Sequence, residues 1–275
     1  MRQQVEANGE AGLESKLQER PVNRKSKQAV RAAPLRARLL IIQTGATPLA
    51  IRERHGDFPE WFRRGLGLKP QQVDCVRVDT GEALPQPRNV AAVVITGSGA
   101  MVSERLDWSE RTADWLRTAA DTNLSMLGVC YGHQLLAHAF GGRVDYNPRG
   151  REIGTVDIQC LPAAADDVLF GALPPVFRAH ATHLQSVLKP PAEAVVLARS
   201  ALDDCQAVRY AQRVWGVQFH PEFGVAHMRN YLSEREDVVN TEGLDAQRLT
   251  RTVGASPHAR ALLRRFARIV VNSER

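Results

Sequence analysis

A cysteine stands between two glycines in Gly128-Val129-Cys130-Tyr131-Gly132-His133-Gln134, and few local patterns leave a chain less conformational choice. The preceding Leu124-Ser125-Met126-Leu127-Gly128-Val129 reads as a short apolar strand. His133 to Phe140 carry apolar residues at helical spacing and stop at Gly141-Gly142. Cys130 therefore falls on a sharp strand-to-helix turn. Such a turn needs glycines where a Cβ would clash, and it lifts the central side chain clear of the sheet. The helix start beside it favours the thiolate over the thiol. The plainer alternative is a small buried core cysteine.

A second pattern bears on that choice. Ninety residues downstream, Trp215-Gly216-Val217-Gln218-Phe219-His220-Pro221-Glu222-Phe223 reads as a strand ending in a histidine two positions before a glutamate. Pro221 stiffens the turn and fixes how the two side chains leave the strand end. A thiol nucleophile needs a base, and the base needs a third group to hold its tautomer and orientation. Cys130, His220 and Glu222 supply this set.

The remaining patterns indicate an α/β fold with a mostly parallel central sheet, helices on both faces and a small antiparallel portion. Leu39-Leu40-Ile41-Ile42, Val73 to Val78 and Val90 to Ile95 read as strands. Phe58 to Leu66 and Ser109 to Ala120 read as helices, with Trp108, Trp115 and Leu116 toward the core. This β-α alternation is the signature of a parallel, doubly covered sheet. After Gly142, short strand-like runs at 144–146, 153–159, 194–198, 207–210 and 214–219 are separated by Pro, Gly and Asp, as in antiparallel pairing. Ser256-Pro257 then gives an N-cap and an N1 proline for a last helix, with Leu262, Leu263, Phe266, Ile269 and Val270 inward.

Residues 37–235 are thus expected to form the main domain, and 236–275 a helical segment packed on it. Residues 1–36 carry eight lysines or arginines against four glutamates and few large apolar groups, which fits a basic, flexible extension. That extension holds most of the net charge of +6. A nucleic-acid partner is not expected, because no recognisable module or set of stacking aromatics accompanies the charge. No apolar run is long enough for a membrane span. The cysteines at 75, 130, 160 and 205 are widely separated and there is no signal-peptide pattern, so a reducing cytoplasmic setting is expected. No cofactor or metal is expected, since His180 and His183 are the only pair resembling ligands.

On its G-x-C-x-G-H-Q elbow and later H-P-E, the chain resembles the class I glutamine amidotransferase family, over roughly residues 37–235. It is most similar there to single-domain proteins related to the amidotransferase half of GMP synthetase. The resemblance implies the family's flavodoxin-like fold and a catalytic Cys130, His220 and Glu222 cleaving a γ-glutamyl amide through a thioester. It implies oxyanion donors at the backbone N–H of Tyr131 and of Ser98, the latter in a Gly97-Ser98-Gly99 turn where the family often has G-G-P. Read alone, that turn is a strand-ending loop or a weak phosphate loop. Gly97, Gly99 and Gln134 would adjoin the substrate. Arg151 and Glu152 lie in a stretch similar to one that contacts the substrate's α-amino and carboxylate groups. His183 lies in a stretch resembling S-H-x-D-x-V, with Gln185 where aspartate is common.

The expected partner is glutamine or another γ-glutamyl small molecule. Only 52 residues follow Phe223 and no second synthase module is among them, so released ammonia is expected to pass to a separate synthetase subunit unless the enzyme acts alone on γ-glutamyl compounds. Rivals are an intracellular-protease-like protein, which lacks the G-H-Q and H-P-E continuations, and a non-catalytic binding or regulatory protein on the same fold. An α/β-hydrolase would place its acid before its histidine.

Overall fold

The computed structural model describes residues 37–273, so the basic extension read over 1–36 lies outside the described residues. The first half alternates as β1 (Leu39–Gln43), α1 (Leu49–His55), α2 (Phe58–Leu66), β2 (Val73–Arg77), β3 (Ala92–Ile95), α3 (Asp107–Asp121), β4 (Ser125–Val129) and α4 (Tyr131–Ala139). Strands dominate next: β5 (Arg143–Tyr146), β6 (Glu152–Cys160), β7 (Val176–His183), β8 (Gln185–Lys189), β9 (Val195–Arg199), β10 (Ala207–Ala211) and β11 (Val214–Val217). Four helices follow, α5 (Val225–Glu234), α6 (Glu236–Thr241), α7 (Ala246–Thr252) and α8 (Pro257–Ser273).

Nine strands form one sheet in the order β2-β1-β3-β4-β11-β10-β9-β6-β7. The first five are mutually parallel, and pairing turns antiparallel from β10 onward. β5 and β8 make a separate antiparallel pair. The expected parallel sheet is present, and the antiparallel portion prolongs it.

Alternation along the buried strands feeds two cores. Leu39 and Ile41 join the side covered by α2, α5 and α8, while Leu40 and Ile42 join the side covered by α3 and α4. On α8, Leu262, Leu263, Phe266 and Val270 are buried; full burial of such a side chain is worth about 1.5–3 kcal/mol. Asp57 caps α2 by accepting from Phe58 N, and also accepts from Thr47 N and Gln43 Nε2, which ties the β1 end to the helix start.

Several local readings need correction. β7 and β8 lie where the sequence pattern shows no strand. The buried positions of β7 include His180 and His183, and polar core residues hide the alternation. Helix α5 likewise has no start signal in the sequence, since its N-cap is Gly224, which has no side chain to cap with, and its first turn holds no acid. Ser256 does not cap α8 with its side chain. Its Oγ is buried and unpartnered, and only its carbonyl takes part, accepting from Arg260 N at 3.1 Å.

Candidate active site

β4 runs between β3 and β11, parallel to both. The carboxyl ends of these three strands deliver Cys130, the Thr96-Gly97-Ser98 turn and, just beyond β11, His220 to one place. Ligands in open α/β sheets bind at such strand ends.

The elbow is dictated by close packing. A Cβ at Gly128 would fall on the carbonyl of Gly132, and one at Gly132 on the backbone of Ile95 in β3. With both glycines, β4 passes into α4 at van der Waals distance, and Cys130 takes the strained φ of 52° and ψ of −104°. Strain of this kind, on the order of 1–3 kcal/mol, persists only where the surroundings impose it. Here Cys130 N donates to Val217 O at 2.8 Å, Gln134 N to Cys130 O at 3.1 Å and Gly132 N to Thr96 O at 3.1 Å.

His220 is buried. Its Nδ1 lies 2.7 Å from Glu222 Oε1, its ring stacks on Phe223 with centroids 4.2 Å apart, and its backbone N donates to His180 O at 2.7 Å. A Cβ at Gly97 would lie 3.2 Å from His220 Cε1 and 3.7 Å from Cys130 Cβ, so this glycine is the spacer that lets imidazole and thiol share one corner. His220 Nε2 is buried and has no partner in ordinary hydrogen-bond geometry.

Burial pushes the Cys130 thiol up, but the charge and hydrogen bonding of His220, with a smaller contribution from His183, outweigh it and bring the thiol below its ordinary value. For His220, burial pulls down while the Glu222 carboxylate and the Cys130 sulfur pull up more strongly, so the imidazole is held above its usual range. The two shifts share one cause, the mutual stabilisation of thiolate and imidazolium inside the protein, and Glu222 adds to the shift of His220.

Cys130 opens on a cavity of about 200 Å³ whose lining also includes Ser98, Gly99, Tyr131, Gln134, Arg151, His183 and Arg235. Tyr131 is the first residue of α4, where backbone N–H groups have no partner within the helix. Its phenol is turned away and shares a hydrogen bond of 2.7 Å with Ser109 Oγ. Both amide hydrogens of Gln134 are engaged, by Gln185 O at 2.7 Å and Gln218 Oε1 at 2.9 Å, so its Oε1 is what remains for a ligand. Ser98 Oγ accepts from Ala100 N at 3.1 Å and shapes the turn.

Gly97, Glu152, His220 and Glu222 stand behind this lining. Glu152 is 3% exposed, and its carboxylate takes His183 Nε2 at 3.1 Å, Ser200 Oγ at 2.7 Å and the amide of Gln206. It therefore holds His183, whose Nδ1 donates to Gln185 O at 3.0 Å. Burial lowers the His183 pKa, and Glu152 and Asp203 outweigh that effect and raise it. His180 points elsewhere, to Thr155 Oγ1 at 3.1 Å. Arg235, which sequence patterns do not single out, is the second arginine of the cavity.

The family model "Glutamine amidotransferase class-I" matches residues 54–236. One subunit of the glutamine-hydrolyzing GMP synthase of Halobacterium salinarum is 30% identical over 66% of this chain and 91% of its own length. Gamma-glutamyl peptidase 4 of Arabidopsis thaliana is 28% identical over 67% of this chain and 75% of its own. Against the longer GMP synthase of Aeropyrum pernix, 35% identical over 62% of this chain, the match spans only 32% of that relative. In structure, a glutamine amidotransferase of Thermotoga maritima superposes with a TM-score of 0.67 at 22% identity, covering 86% of this chain and 98% of its own, a likeness of fold. With a model matched across most of the chain, this protein belongs to the class I glutamine amidotransferase family.

Proposed function

We propose that the protein cleaves a γ-glutamyl amide, in glutamine or in another γ-glutamyl compound, through a thioester on Cys130. The observation that carries this reading is the Cys130-His220-Glu222 arrangement on a strained elbow, with thiol and imidazole shifted toward the ion pair.

The thiolate attacks the substrate's γ-carbonyl carbon, and the carbonyl electrons move onto oxygen. Backbone N–H groups of Tyr131 and Ser98 receive that oxyanion. The α4 terminus adds a favourable field, worth on the order of 0.3–1 kcal/mol. His220 Nε2–H gives its proton to the departing nitrogen, the C–N bond breaks, and ammonia or an amine leaves. His220, now neutral, takes a proton from water as the water attacks the thioester. Collapse of the second tetrahedral intermediate expels the Cys130 thiolate and leaves the imidazolium, which restores the starting pair. Glu222 keeps Nδ1 protonated throughout and stabilises the imidazolium. Gln134 Oε1 is suited to accept from the substrate's α-ammonium.

A second reading, an ammonia-supplying component of a two-part synthetase, is favoured by the likeness to the Halobacterium GMP synthase subunit. The test is incubation of the purified protein with glutamine and a panel of γ-glutamyl peptides, measuring glutamate, ammonia and amine release beside Cys130→Ala. Release by the protein alone supports a self-sufficient enzyme. Activity only after adding a synthetase component supports the second reading, and inertness in both settings overturns both.

A further inference from the structure

The lining of the Cys130 cavity contains two arginines and, among the described residues, no aspartate or glutamate. The two cations differ in their partners. Arg151 is neutralised: its Nε and Nη2 bind both oxygens of Glu242 at 2.6 and 2.9 Å. The Arg235 guanidinium makes no hydrogen bond or ion pair with a described residue. It lies 4.7 Å above the ring of Tyr231, and its Nη1 is buried without a partner. A buried charged donor left open costs about 1–3 kcal/mol or more, and proteins seldom retain one unless something else completes it.

The position of Arg235 is also fixed relative to the reaction centre. Tyr231 packs on Phe223 with centroids 4.8 Å apart, and Phe223 stacks on His220 at 4.2 Å. A continuous ring stack therefore connects the imidazole to the open guanidinium. A rigid fork of N–H donors at a set distance from a nucleophile suits a carboxylate better than a diffuse negative charge.

Resting on the γ-glutamyl reading above, we propose that Arg235 recognises the α-carboxylate of the substrate's glutamyl group and so determines that the enzyme accepts γ-glutamyl amides and rejects simple amides. Three carbons separate that carboxylate from the γ-carbonyl, a span compatible with a cavity of about 200 Å³. With Arg151 engaged by Glu242, the carboxylate meets one free guanidinium. An amide lacking the carboxylate would leave the buried Nη1 of that guanidinium open, the situation in which sites discriminate most strongly. Arg235 is thus a specificity residue, with no part in proton transfer.

Two measurements on the full chain test this. The first compares inactivation through Cys130 by 6-diazo-5-oxonorleucine and by 5-amino-1-diazopentan-2-one, diazoketones of glutamine length that differ only in the α-carboxylate. The rate ratio of the carboxylate-bearing to the carboxylate-free diazoketone should exceed that of a free thiol and fall about tenfold or more in Arg235→Met, with partial recovery in Arg235→Lys. The second compares glutamine with 4-aminobutanamide, which lacks only the α-carboxylate. Arg235→Met should raise KM for glutamine about tenfold or more with a smaller change in kcat, and should remove most of the preference for glutamine. Unchanged ratios in an Arg235→Met protein that melts like the wild type would overturn the proposal. So would a wild-type diazoketone ratio equal to that of a free thiol, a test that requires no variant to fold. A defect confined to γ-glutamyl peptides, with glutamine unaffected, would also overturn it by moving the anion to the leaving group. If the wild type cleaves no γ-glutamyl compound, with or without a synthetase component, the function reading fails while the alkylation ratio still reports on the anion site.

Discussion

Nδ1 of His220 lies 2.7 Å from Oε1 of Glu222 with only Pro221 between them in sequence. The carboxylate is buried and its other oxygen has no partner, a geometry suited to orienting and charging the ring in the proposed reaction. Glu222→Gln keeps the shape and removes the charge. Its turnover should fall by about tenfold to a hundredfold, while His220→Ala, which removes the proton carrier, should lose more than about a hundredfold. Steady-state kinetics on the two variants would check this order.

The lowered thiol has a direct pH consequence. A group with a depressed pKa stays ionised as pH falls until the pH passes below that depressed value. Alkylation of Cys130 should therefore change little on descending through the range around pH 8.5, where an ordinary thiol begins to slow tenfold per unit. Burial holds Cys75 up to about 11 and Cys205 up to about 12, and Cys160 is also raised by burial, so those three should lag further at neutral pH. His220→Ala removes the main opposing charge, and its Cys130 profile should move upward. Mass spectrometry of the alkylated cysteines against pH gives all four profiles.

Two glycines near the thiol should respond differently to the same added methyl. In Gly97→Ala the Cβ meets the edge of the His220 ring at 3.2 Å. The ring should shift by a few tenths of an ångström, with a loss of roughly tenfold or more in kcat and a melting temperature close to wild type. In Gly132→Ala the Cβ meets the backbone of Ile95, which cannot move without breaking the β3 ladder. That variant should lose on the order of 4 kcal/mol or more of stability, or fail to fold. Thermal melts beside kinetics separate the two effects.

Glu152 should prove a structural support. Its carboxylate takes three donors inside the protein, among them His183, whose other nitrogen is satisfied by Gln185 O. Glu152→Ala leaves a buried imidazole and two other donors without their acceptor, and should cost about 3–5 kcal/mol of stability. Denaturant unfolding measures it. A variant as stable as wild type but with a raised KM would instead make Glu152 a substrate contact.

The elbow and the H-P-E turn are legible in sequence because their constraints are local. Gly128 and Gly132 are required by backbone contacts within a few residues and one neighbouring strand, and His220 and Glu222 are two positions apart. The parallel half of the sheet is legible for a related reason, since strands buried on both faces read as unbroken apolar runs. β7 escapes this reading because its buried face includes His180 and His183, offset by hydrogen bonds that only the folded chain provides. The arginines show the limit most plainly. Arg151 is matched by Glu242, 91 residues away, and Arg235 lacks a mate because no acid among the described residues reaches it. Neither fact has a local signal, and the segment around Arg235 looks like any charged helix end.

The central claim is that Cys130 carries the γ-glutamyl group, and the most direct measurement is intact-mass and peptide analysis of the protein acid-quenched during turnover of glutamine or a γ-glutamyl peptide. The expected result is an adduct of one glutamyl group on Cys130, accumulating in His220→Ala if acylation still occurs there and absent from Cys130→Ala. Turnover in which Cys130 stays unmodified under every quench condition, or persists in Cys130→Ala, would contradict it.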